Sequence, residues 1–312
     1  MRVLFCSNEM RLTGAPLILF DIVNGLKDRG LVEPTVYCTT DGPLTARFEA
    51  IGVPVVPHTD WKNTDLLFLN TVINYKLIQN AAAKGVPSIW AVHESQPNLY
   101  YHDQKQLIEL IKLLETPKKV IFQSHCTANV YGKYSPGKNF TVIPGAVSVP
   151  EGPTRESARA KLGLGDELVV LTVGTVERRK GQEDIAAALS NTSRAVRWFV
   201  VGRRVDDIPM DPRMVMVEPT EDVWTYYRAA DVYACTSRVE SYPRTILEAL
   251  ACGLPIVTTP AYGLKEQVNG VFYKPGNTQD LWEKVERQER IEQPRHWSVG
   301  EMVDVYAKLL AG

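Results

Sequence analysis

The stretch "DVYACTSRVESYPRTILEALACGLPIVTT", Asp231–Thr259, is typical of a strand, a loop, a helix, a turn and a second strand. The first apolar strand ends at Ser237, and a helix is predicted over Tyr242–Ala251, closed by Gly253. Pro243 would lie in the first helical turn, where its missing N–H costs little. Continuous apolar strands joined by a helix indicate a parallel sheet that is covered on both faces.

The same alternation runs through the rest of the chain, from "RVLFCS" near the start to "GVFYKP" near the end, with helical patterns such as Ala15–Arg29 and Asp103–Leu114 between strands. More than ten strands are too many for one ordinary sheet. Prolines and glycines interrupt regular structure over residues 144–153, and a helix is predicted to start near Thr154. The sequence therefore predicts an α/β protein with two doubly wound, Rossmann-like domains that face a cleft. Their predicted bounds are 1–147 and 148–295, followed by a C-terminal helix in 296–312 that could pack on either domain.

Composition narrows the function classes. The chain has 312 residues, of which 45% are hydrophobic and 23% charged, with a net charge of −1. Without an excess of Lys and Arg, nucleic acid is not an expected partner. The apolar run at the start is too brief for a signal peptide or a membrane span, and the five cysteines are scattered without paired spacing, so a reducing cytoplasm is expected.

Two glutamates in the opening stretch, Glu240 and Glu248, are separated by eight positions. On one helix they would lie about 80° apart, which is not one clean face. Glu240 instead falls in the loop before the predicted helix, and Glu248 falls in its second turn. Both could face a ligand at the helix N-terminus, a place suited to phosphate. In the alternative interpretation, Glu240 caps the helix and Glu248 pairs with Arg244 at i, i+4.

A second candidate loop lies in "LTVGTVERRKGQEDIAAAL", Leu171–Leu189, where Arg178, Arg179 and Lys180 follow a strand. Three adjacent cations beyond a parallel strand suit an anionic ligand such as a diphosphate, although a solvated charge run is the usual alternative. The loop is not a Walker motif, and the chain has no G-x-G-x-x-G after a strand, which weakens a dinucleotide interpretation.

Two further loops follow strands in the first half. Residues 13–15, Thr-Gly-Ala, would let a backbone approach a ligand closely, although alone they are only a turn. His93 and Glu94 end the strand "WAVH", where a histidine is more often structural than catalytic. Metal-ligand spacing and the G-x-S-x-G nucleophile elbow are missing.

The order of these loops resembles that of retaining nucleotide-sugar glycosyltransferases of family 4, which have the GT-B fold. The E-x7-E motif of the family is matched by Glu240 and Glu248, followed by "ALACGLPIVTT". Its glycine-to-KG loop is matched by "VGTVERRKG", and its segment before the glutamates by "YYRAADVYACTS". The linker "IPGAVS" and the early loop "LTGAP" are also similar to the family pattern.

The resemblance implies a hexosyltransferase-like enzyme that moves a sugar from a nucleoside-diphosphate-sugar to an acceptor hydroxyl with retention of anomeric configuration. The N-terminal domain would serve the acceptor and the C-terminal domain would bind the nucleotide sugar. The family needs no metal and no cofactor besides the donor. The acceptor would be a saccharide, a lipid-linked molecule or a small molecule.

The resemblance also assigns roles to residues. Lys180, together with an arginine, would neutralise the donor diphosphate. Thr175 stands where the family has that arginine, so Arg178 or Arg179 would replace it. Glu248 would bind the ribose hydroxyls, Glu240 would contact the donor sugar, and His93 would lie near the reacting sugar carbon. His93, Glu240 and Lys180 are thus the predicted catalytic residues, and the remaining predicted donor-binding residues are Gly14, Ser241, Tyr242, Arg244, Thr245 and Glu266.

Two other classes compete with this interpretation: a catalytically silent sugar-nucleotide binder on the same scaffold, and an NAD(P)-dependent oxidoreductase, which the missing glycine fingerprint disfavours. The amphipathic stretch "DQKQLIELIKLLETPKK", residues 103–119, suits peripheral contact with the inner membrane face as well as it suits packing on its own sheet.

Overall fold

The computed structural model describes residues 1–97, 103–261 and 263–311. Its internal contacts divide the chain into two compact units. Unit 1 is Met1–Ala146 together with Trp297–Gly312, and unit 2 is Val147–His296. The predicted domain boundary after residue 147 falls one residue from this division.

Each unit contains one parallel sheet. The strands of unit 1 are β1 (Arg2–Cys6), β2 (Glu33–Tyr37), β3 (Val55–Val56), β4 (Leu66–Asn70), β5 (Ser88–Val92), β6 (Lys119–Phe122) and β7 (Phe140–Val142). Those of unit 2 are β8 (Leu168–Val173), β9 (Val196–Val201), β10 (Met214–Val217), β11 (Val232–Cys235), β12 (Ile256–Thr258) and β13 (Val271–Phe272). The orders are β3-β2-β1-β4-β5-β6-β7 and β10-β9-β8-β11-β12-β13.

Twelve α-helices accompany these strands in the described residues, the last two of them after β13. They are α1 (Gly14–Asp28), α2 (Pro43–Ala50), α3 (Lys76–Ala83), α4 (Gln104–Leu113), α5 (His125–Tyr131), α6 (Arg155–Lys161), α7 (Glu183–Leu189), α8 (Val223–Ala229), α9 (Arg244–Ala251), α10 (Leu264–Gln267), α11 (Thr278–Arg287) and α12 (Val299–Ala311).

Both faces of each sheet are buried, which explains the continuous apolar strands. In β1, Val3 and Phe5 join one core cluster while Leu4 and Cys6 join another on the opposite face. Successive residues of a strand point to opposite faces, so a strand covered on both sides needs apolar residues at every position. Unit 2 likewise has two clusters. The fold class is confirmed: two doubly wound, Rossmann-like parallel sheets.

The strand orders place the functional loops. In unit 1 the chain winds outward from β1 to β3 and then crosses to β4 on the other side of β1; in unit 2 the corresponding crossover runs from β10 to β11, beside β8. Ligands of doubly wound sheets bind beyond the carboxyl ends of the strands at such a switch point. We therefore expect a ligand to bind at the loops after β1 and β4 in unit 1, and at those after β8 and β11 in unit 2.

The C-terminal helix α12 packs against α1 within unit 1. A Cβ at Gly25 of α1 would lie 2.6 Å from Val303 Cγ2, so the absence of a side chain there permits the close approach of the two helices. Arg29 adds an ion pair to Asp304 at 2.9 Å and a hydrogen bond to the Gly300 carbonyl at 3.1 Å.

One helix prediction changes, and one of two open alternatives is supported. The helix after Glu240 begins at Arg244, not at Tyr242, because Pro243 has extended backbone and occupies the N-cap position. The stretch 103–119 contains α4, whose Leu110 lies in the core beside Leu114, so this helix packs on its own sheet. No helix in the described segments is long and apolar enough to cross a membrane. The proposed contact of 103–119 with a membrane surface stays a prediction.

Candidate functional site

The loop after β8 is built around one glycine. Arg178–Lys180 form a 3-10 turn that ends at Gly181, whose φ is +66°. A Cβ at Gly181 would lie 2.3 Å from the carbonyl oxygen of Thr236, in the loop after β11. The Thr236 hydroxyl in turn donates to the Lys180 carbonyl at 2.8 Å. The two loops at the switch point of unit 2 are thus held together at Gly181.

Gly181→Ala should therefore lower the stability of the protein. The substitution places an L-residue in the left-handed region, which costs about 1–3 kcal/mol, and it forces the Thr236 backbone away. We expect a lower melting temperature than for Gly163→Ala, a control with φ of +65° but no neighbour within 4 Å of the added Cβ. Equal losses for the two variants would show that the contact with Thr236 contributes nothing.

Lys180 and Glu240 meet at this point. The Lys180 ammonium donates to Oε1 of Glu240, and the hydroxyl of Ser237 donates to the same oxygen at 2.8 Å. The Glu240 side chain is only 9% exposed. Burial acts to raise the pKa of Glu240, but the charges of Lys180 and Arg179 and the two hydrogen bonds outweigh burial and hold that pKa below its ordinary value. The N-cap residue of α9 is Pro243 and not Glu240, so that part of the alternative interpretation is wrong.

Glu248 lies in the second turn of α9 and is also paired within the protein. Its Oε1 accepts from Arg244 Nε at 3.1 Å, and its Oε2 accepts from the hydroxyl of Tyr227 at 2.8 Å. The predicted i, i+4 pair is confirmed. Tyr227 is buried, and burial together with the negative charge of Glu248 raises its pKa well above the ordinary value, so its hydroxyl remains a proton donor.

The other predicted donor-binding residues surround the start of α9. Ser241 is buried, and Tyr242 is partly buried in the extended segment that leads to the helix. Burial, followed by the charge of Glu266 on α10, raises the pKa of Tyr242 to about 12. Thr245 occupies the second position of α9, and its carbonyl accepts from the Tyr227 hydroxyl at 3.2 Å.

The neighbouring arginines of the β8 loop differ in their surroundings. Arg179 donates to the Glu177 carboxylate and, at 3.2 Å, to the carbonyl of Val239, next to Glu240. The side chain of Arg178 is exposed and makes no hydrogen bond or ion pair with any residue that the structure describes, while its backbone N–H donates to Asp206 at 2.8 Å. Of the two guanidinium groups, only that of Arg179 contacts the loop after β11, residues 236–243, which we call the Glu240 loop.

In unit 1, His93 directly follows β5 and contacts the end of β4. Its Nε2 lies 2.6 Å from Oδ1 of Asn70, whose amide nitrogen donates to the Ala15 carbonyl at 3.0 Å. This arrangement directs Oδ1 toward His93, where it can accept from Nε2 in the tautomer that carries the proton on that nitrogen. Burial lowers the pKa of His93 to about 4, offset in part by a hydrogen bond with Gln123, so the ring is neutral at pH 7. Gly14 is exposed and is the first residue of α1 rather than part of the loop before it.

Glu94, next to His93, is a buried carboxyl. Burial raises its pKa to about 7, against the effect of backbone N–H groups of Glu94, Val72 and His93. The native state therefore binds a proton between about pH 4.5 and 7 that the unfolded state releases, and the stability due to Glu94 is present at low pH and lost as pH rises through 7.

Glu94→Gln should thus gain stability relative to the wild type as pH rises from about 5 to 8. The rise in the pKa of Glu94 from 4.5 to about 7 corresponds to a change of about 3 kcal/mol at most in the free energy of unfolding. Melting temperatures of both proteins across this range test it, with Asp65→Asn as control. The pKa of Asp65 is lowered to about 2 by hydrogen bonds from Arg2. The difference in melting temperature between Asp65→Asn and the wild type should therefore not vary in the same pH range. A constant offset for Glu94→Gln would contradict the prediction.

Four residues of these loops are absent from the predicted site. Asn70 and Ser237 both stand at or just beyond the carboxyl ends of predicted strands, and that position alone could have marked them. Tyr227 and Thr236 could not be predicted, because each acts through a contact with a distant segment of the chain. Tyr227 donates to Glu248, and Thr236 donates to the Lys180 carbonyl. Among the described residues, no group of three or more His, Cys, Asp or Glu side chains is placed to hold a metal ion.

Comparison with known proteins fits this geometry. The profile described as Glycosyl-transferase family 4 matches residues 1–160, and that described as Glycosyl transferases group 1 matches residues 167–288. The second match contains both switch-point loops of unit 2.

Among curated relatives, the putative teichuronic acid biosynthesis glycosyltransferase TuaC of Bacillus subtilis is 24% identical over 215 residues, 65% of this chain and 55% of TuaC. The D-inositol 3-phosphate glycosyltransferase of Segniliparus rotundus is 33% identical over 145 residues, 38% of this chain and 31% of that protein. The chain thus spans about half of the first relative and a third of the second.

Among solved structures, HepE of Anabaena in complex with UDP-glucose has a TM-score of 0.81 and 20% identity, covering 99% of this chain and 95% of HepE. At this identity the likeness concerns the fold, which is GT-B in both proteins. Because the first profile covers about half of the 312 residues, the chain belongs to glycosyltransferase family 4.

Proposed function

We propose that this protein is a retaining glycosyltransferase that moves a sugar from a nucleoside-diphosphate-sugar to an acceptor hydroxyl. The observation that carries the proposal is the meeting of Lys180 and Glu240 at the switch point of unit 2, where a doubly wound sheet binds its ligand. A cation and a carboxylate held there side by side can serve the two halves of a sugar nucleotide, its diphosphate and its sugar hydroxyls.

The cationic part of the site would stabilise the leaving diphosphate. Lys180 is the first cation, and we propose Arg179 rather than Arg178 as the second, because its guanidinium reaches the Glu240 loop. The amides at the start of α9, between Ser241 and Thr245, would add donors for phosphate. Charge that develops on the leaving group in the transition state is stabilised by such fixed donors without reorganisation.

Glu248 would accept the ribose hydroxyls and Glu240 would contact the donor sugar. Both carboxylates have protein partners, so donor binding would exchange or share these hydrogen bonds instead of filling vacant acceptors. Glu266, beside Tyr242, completes the proposed donor contacts in unit 2. His93, neutral at pH 7, would lie near the reacting sugar carbon with its Nε2–H held by Asn70.

In the proposed reaction the bond from the anomeric carbon to the phosphate oxygen breaks, and the acceptor oxygen forms its bond on the same face of the sugar. The acceptor proton passes to the leaving phosphate, so the enzyme forms no covalent intermediate. Glu240 and Glu248 are therefore not assigned the acid and nucleophile roles of retaining glycosidases. We further propose that the reaction needs neither a metal ion nor a cofactor besides the donor.

UDP-glucose is the first donor to test, because HepE, which shares the fold, was solved with it. The acceptor is proposed only by class, as a saccharide, lipid-linked or small-molecule hydroxyl. We propose a cytoplasmic location for the reaction.

A melting-temperature screen against UDP, GDP, ADP, dTDP, NAD and NADP, in buffer with EDTA, tests the proposal. Binding to the folded state raises the melting temperature, so we expect a rise with one nucleoside diphosphate. A rise only with NAD or NADP would instead favour an oxidoreductase. NMR of the product formed from the donor's sugar then tests retention, since an inverted anomeric proton coupling would contradict it.

A catalytically silent sugar-nucleotide binder is the second candidate. It is favoured by Thr175, which replaces the family's arginine, and by the fact that both glutamates are already paired. Binding of a nucleoside diphosphate without donor consumption, across acceptors of all three classes, would support it.

A further inference from the structure

Two strand ends in unit 1 are joined by an unusual set of contacts around Thr71. Thr71 follows β4 with φ of +79°. A β-branched residue rarely adopts this conformation, because its side chain crowds the backbone. Such a conformation persists only where surrounding contacts over-determine it, and it is often found at functional sites.

Contacts from β5 and the residues that follow it hold the Thr71 turn. The Thr71 N–H donates to the Ala91 carbonyl at 2.8 Å, and the buried indole of Trp90 donates to the Thr71 carbonyl at 2.8 Å. One residue further, the Val72 N–H donates to Oε2 of Glu94 at 3.1 Å.

The same oxygen of Glu94 also accepts the backbone N–H of His93 at 3.1 Å. Glu94 is 6% exposed, and its carboxyl is thus a buried link between the turn after β4 and the residue after β5. A buried carboxyl is costly unless it is hydrogen-bonded, and here its bonds go to the two backbone segments that carry Asn70 and His93.

We infer that Glu94 is a positioning residue: by binding the N–H groups of Val72 and His93, it holds the strained Thr71 turn and thereby places the His93 imidazole against Asn70. The inference deepens the proposed function, since it rests on the proposed place of His93 at the reacting sugar carbon. Asn70 also binds the Ala15 carbonyl, so the linkage runs from Glu94 through His93 and Asn70 to the first turn of α1.

The protonation of His93, followed by NMR of its imidazole, tests this inference without any need for turnover. Burial keeps the pKa of His93 at about 4 in the wild type, so its ring nitrogens should keep the ¹⁵N shifts of a neutral imidazole between about pH 5.5 and 8, apart from the small shift that the titration of Glu94 causes. The five histidines are distinguished by the loss of one signal set in His93→Gln.

The length of the side chain at position 94, and not its charge alone, should decide whether His93 titrates in this range. Glu94→Gln keeps an acceptor oxygen at the same distance and should leave His93 unprotonated in this range. Glu94→Asp withdraws the carboxylate by about 1.5 Å, and Glu94→Ala removes it. In both, we expect His93 to titrate within this range, with a pKa raised by about two units toward the ordinary value of about 6.5, because the ring is released toward solvent.

Thr71→Gly provides the second part of the test. Glycine adopts positive φ without strain, so the turn would no longer need Glu94 to hold it. Added to Glu94→Asp, Thr71→Gly should restore the wild-type titration of His93. If Glu94→Ala does not fold, the titration of His93 in Glu94→Asp, compared with and without Thr71→Gly, still tests the inference.

An unshifted His93 in folded Glu94→Asp would overturn the inference, as would a shift that Thr71→Gly leaves unchanged. Where transfer is measurable, Glu94→Asp should lower kcat about tenfold with UDP affinity unchanged, and Glu94→Gln should recover most of it. If the wild type transfers no sugar, the proposed function fails while the His93 titration still decides the role of Glu94.

Discussion

Lys180→Ala should reduce kcat/KM for the nucleotide-sugar donor by about 10²–10³-fold, the usual effect of removing one charge-stabilising donor from a leaving group. Its ammonium is held at Glu240 beside the loop that we assign to the diphosphate. Affinity for UDP should fall much more than affinity for uridine, which lacks the diphosphate. Titration calorimetry with the two ligands measures this difference, and equal losses would remove Lys180 from the diphosphate site.

The same substitution should also destabilise the protein, since it leaves the Glu240 carboxylate buried without its cation. Breaking a buried pair in this way costs about 3 kcal/mol or more. The double variant Lys180→Ala/Glu240→Gln should recover stability but not activity. Lys161→Ala is the matched control, because the ion pair of Lys161 with Asp222 is solvent-exposed and should matter for neither property.

The fold could be predicted almost completely from local sequence. Continuous apolar segments such as "DLLFLN" mark strands that are buried on both sides, and the predicted segments "RVLFCS" and "GVFYKP" contain β1 and β13. The start of α9 was placed too early, although the chain carried a signal against it. A residue that precedes proline is biased away from helix, and Tyr242 does precede Pro243.

The site could be predicted only in part, because its contacts join distant segments. Lys180 and Glu240 are sixty positions apart in the chain, and they meet because β8 and β11 are neighbours in the sheet. The rule that ligands bind at strand ends predicted both loops but not this contact. The strand-end position of Asn70 could have marked it, but its contact with His93 was missed because nothing local says that β4 and β5 are adjacent.

Glu248 shows how one position can satisfy two interpretations. The i, i+4 pair with Arg244 exists, so spacing alone explains why a glutamate stands in the second turn of α9. The pair does not explain why the carboxylate is buried and also accepts the hydroxyl of Tyr227. If Glu248 also accepts hydrogen bonds from ribose hydroxyls, that role would account for a buried carboxylate near the start of α9.

Glu248→Gln should weaken UDP binding by about 10–100-fold, since hydrogen bonds to a charged group contribute about 1.5–3 kcal/mol. The wild type should prefer UDP to 2′-deoxy-UDP, and the variant should lose most of that preference. Calorimetry with both nucleotides measures the two differences in one series.

Arg244→Met separates the two interpretations of Glu248. It removes the guanidinium that pairs with Glu248 while retaining an apolar side chain of similar length. If the ion pair is the whole role of Glu248, both variants should lose similar stability and neither should alter the preference for the 2′-hydroxyl. If Glu248 binds ribose, Arg244→Met should keep that preference because the carboxylate remains, and only Glu248→Gln should abolish it.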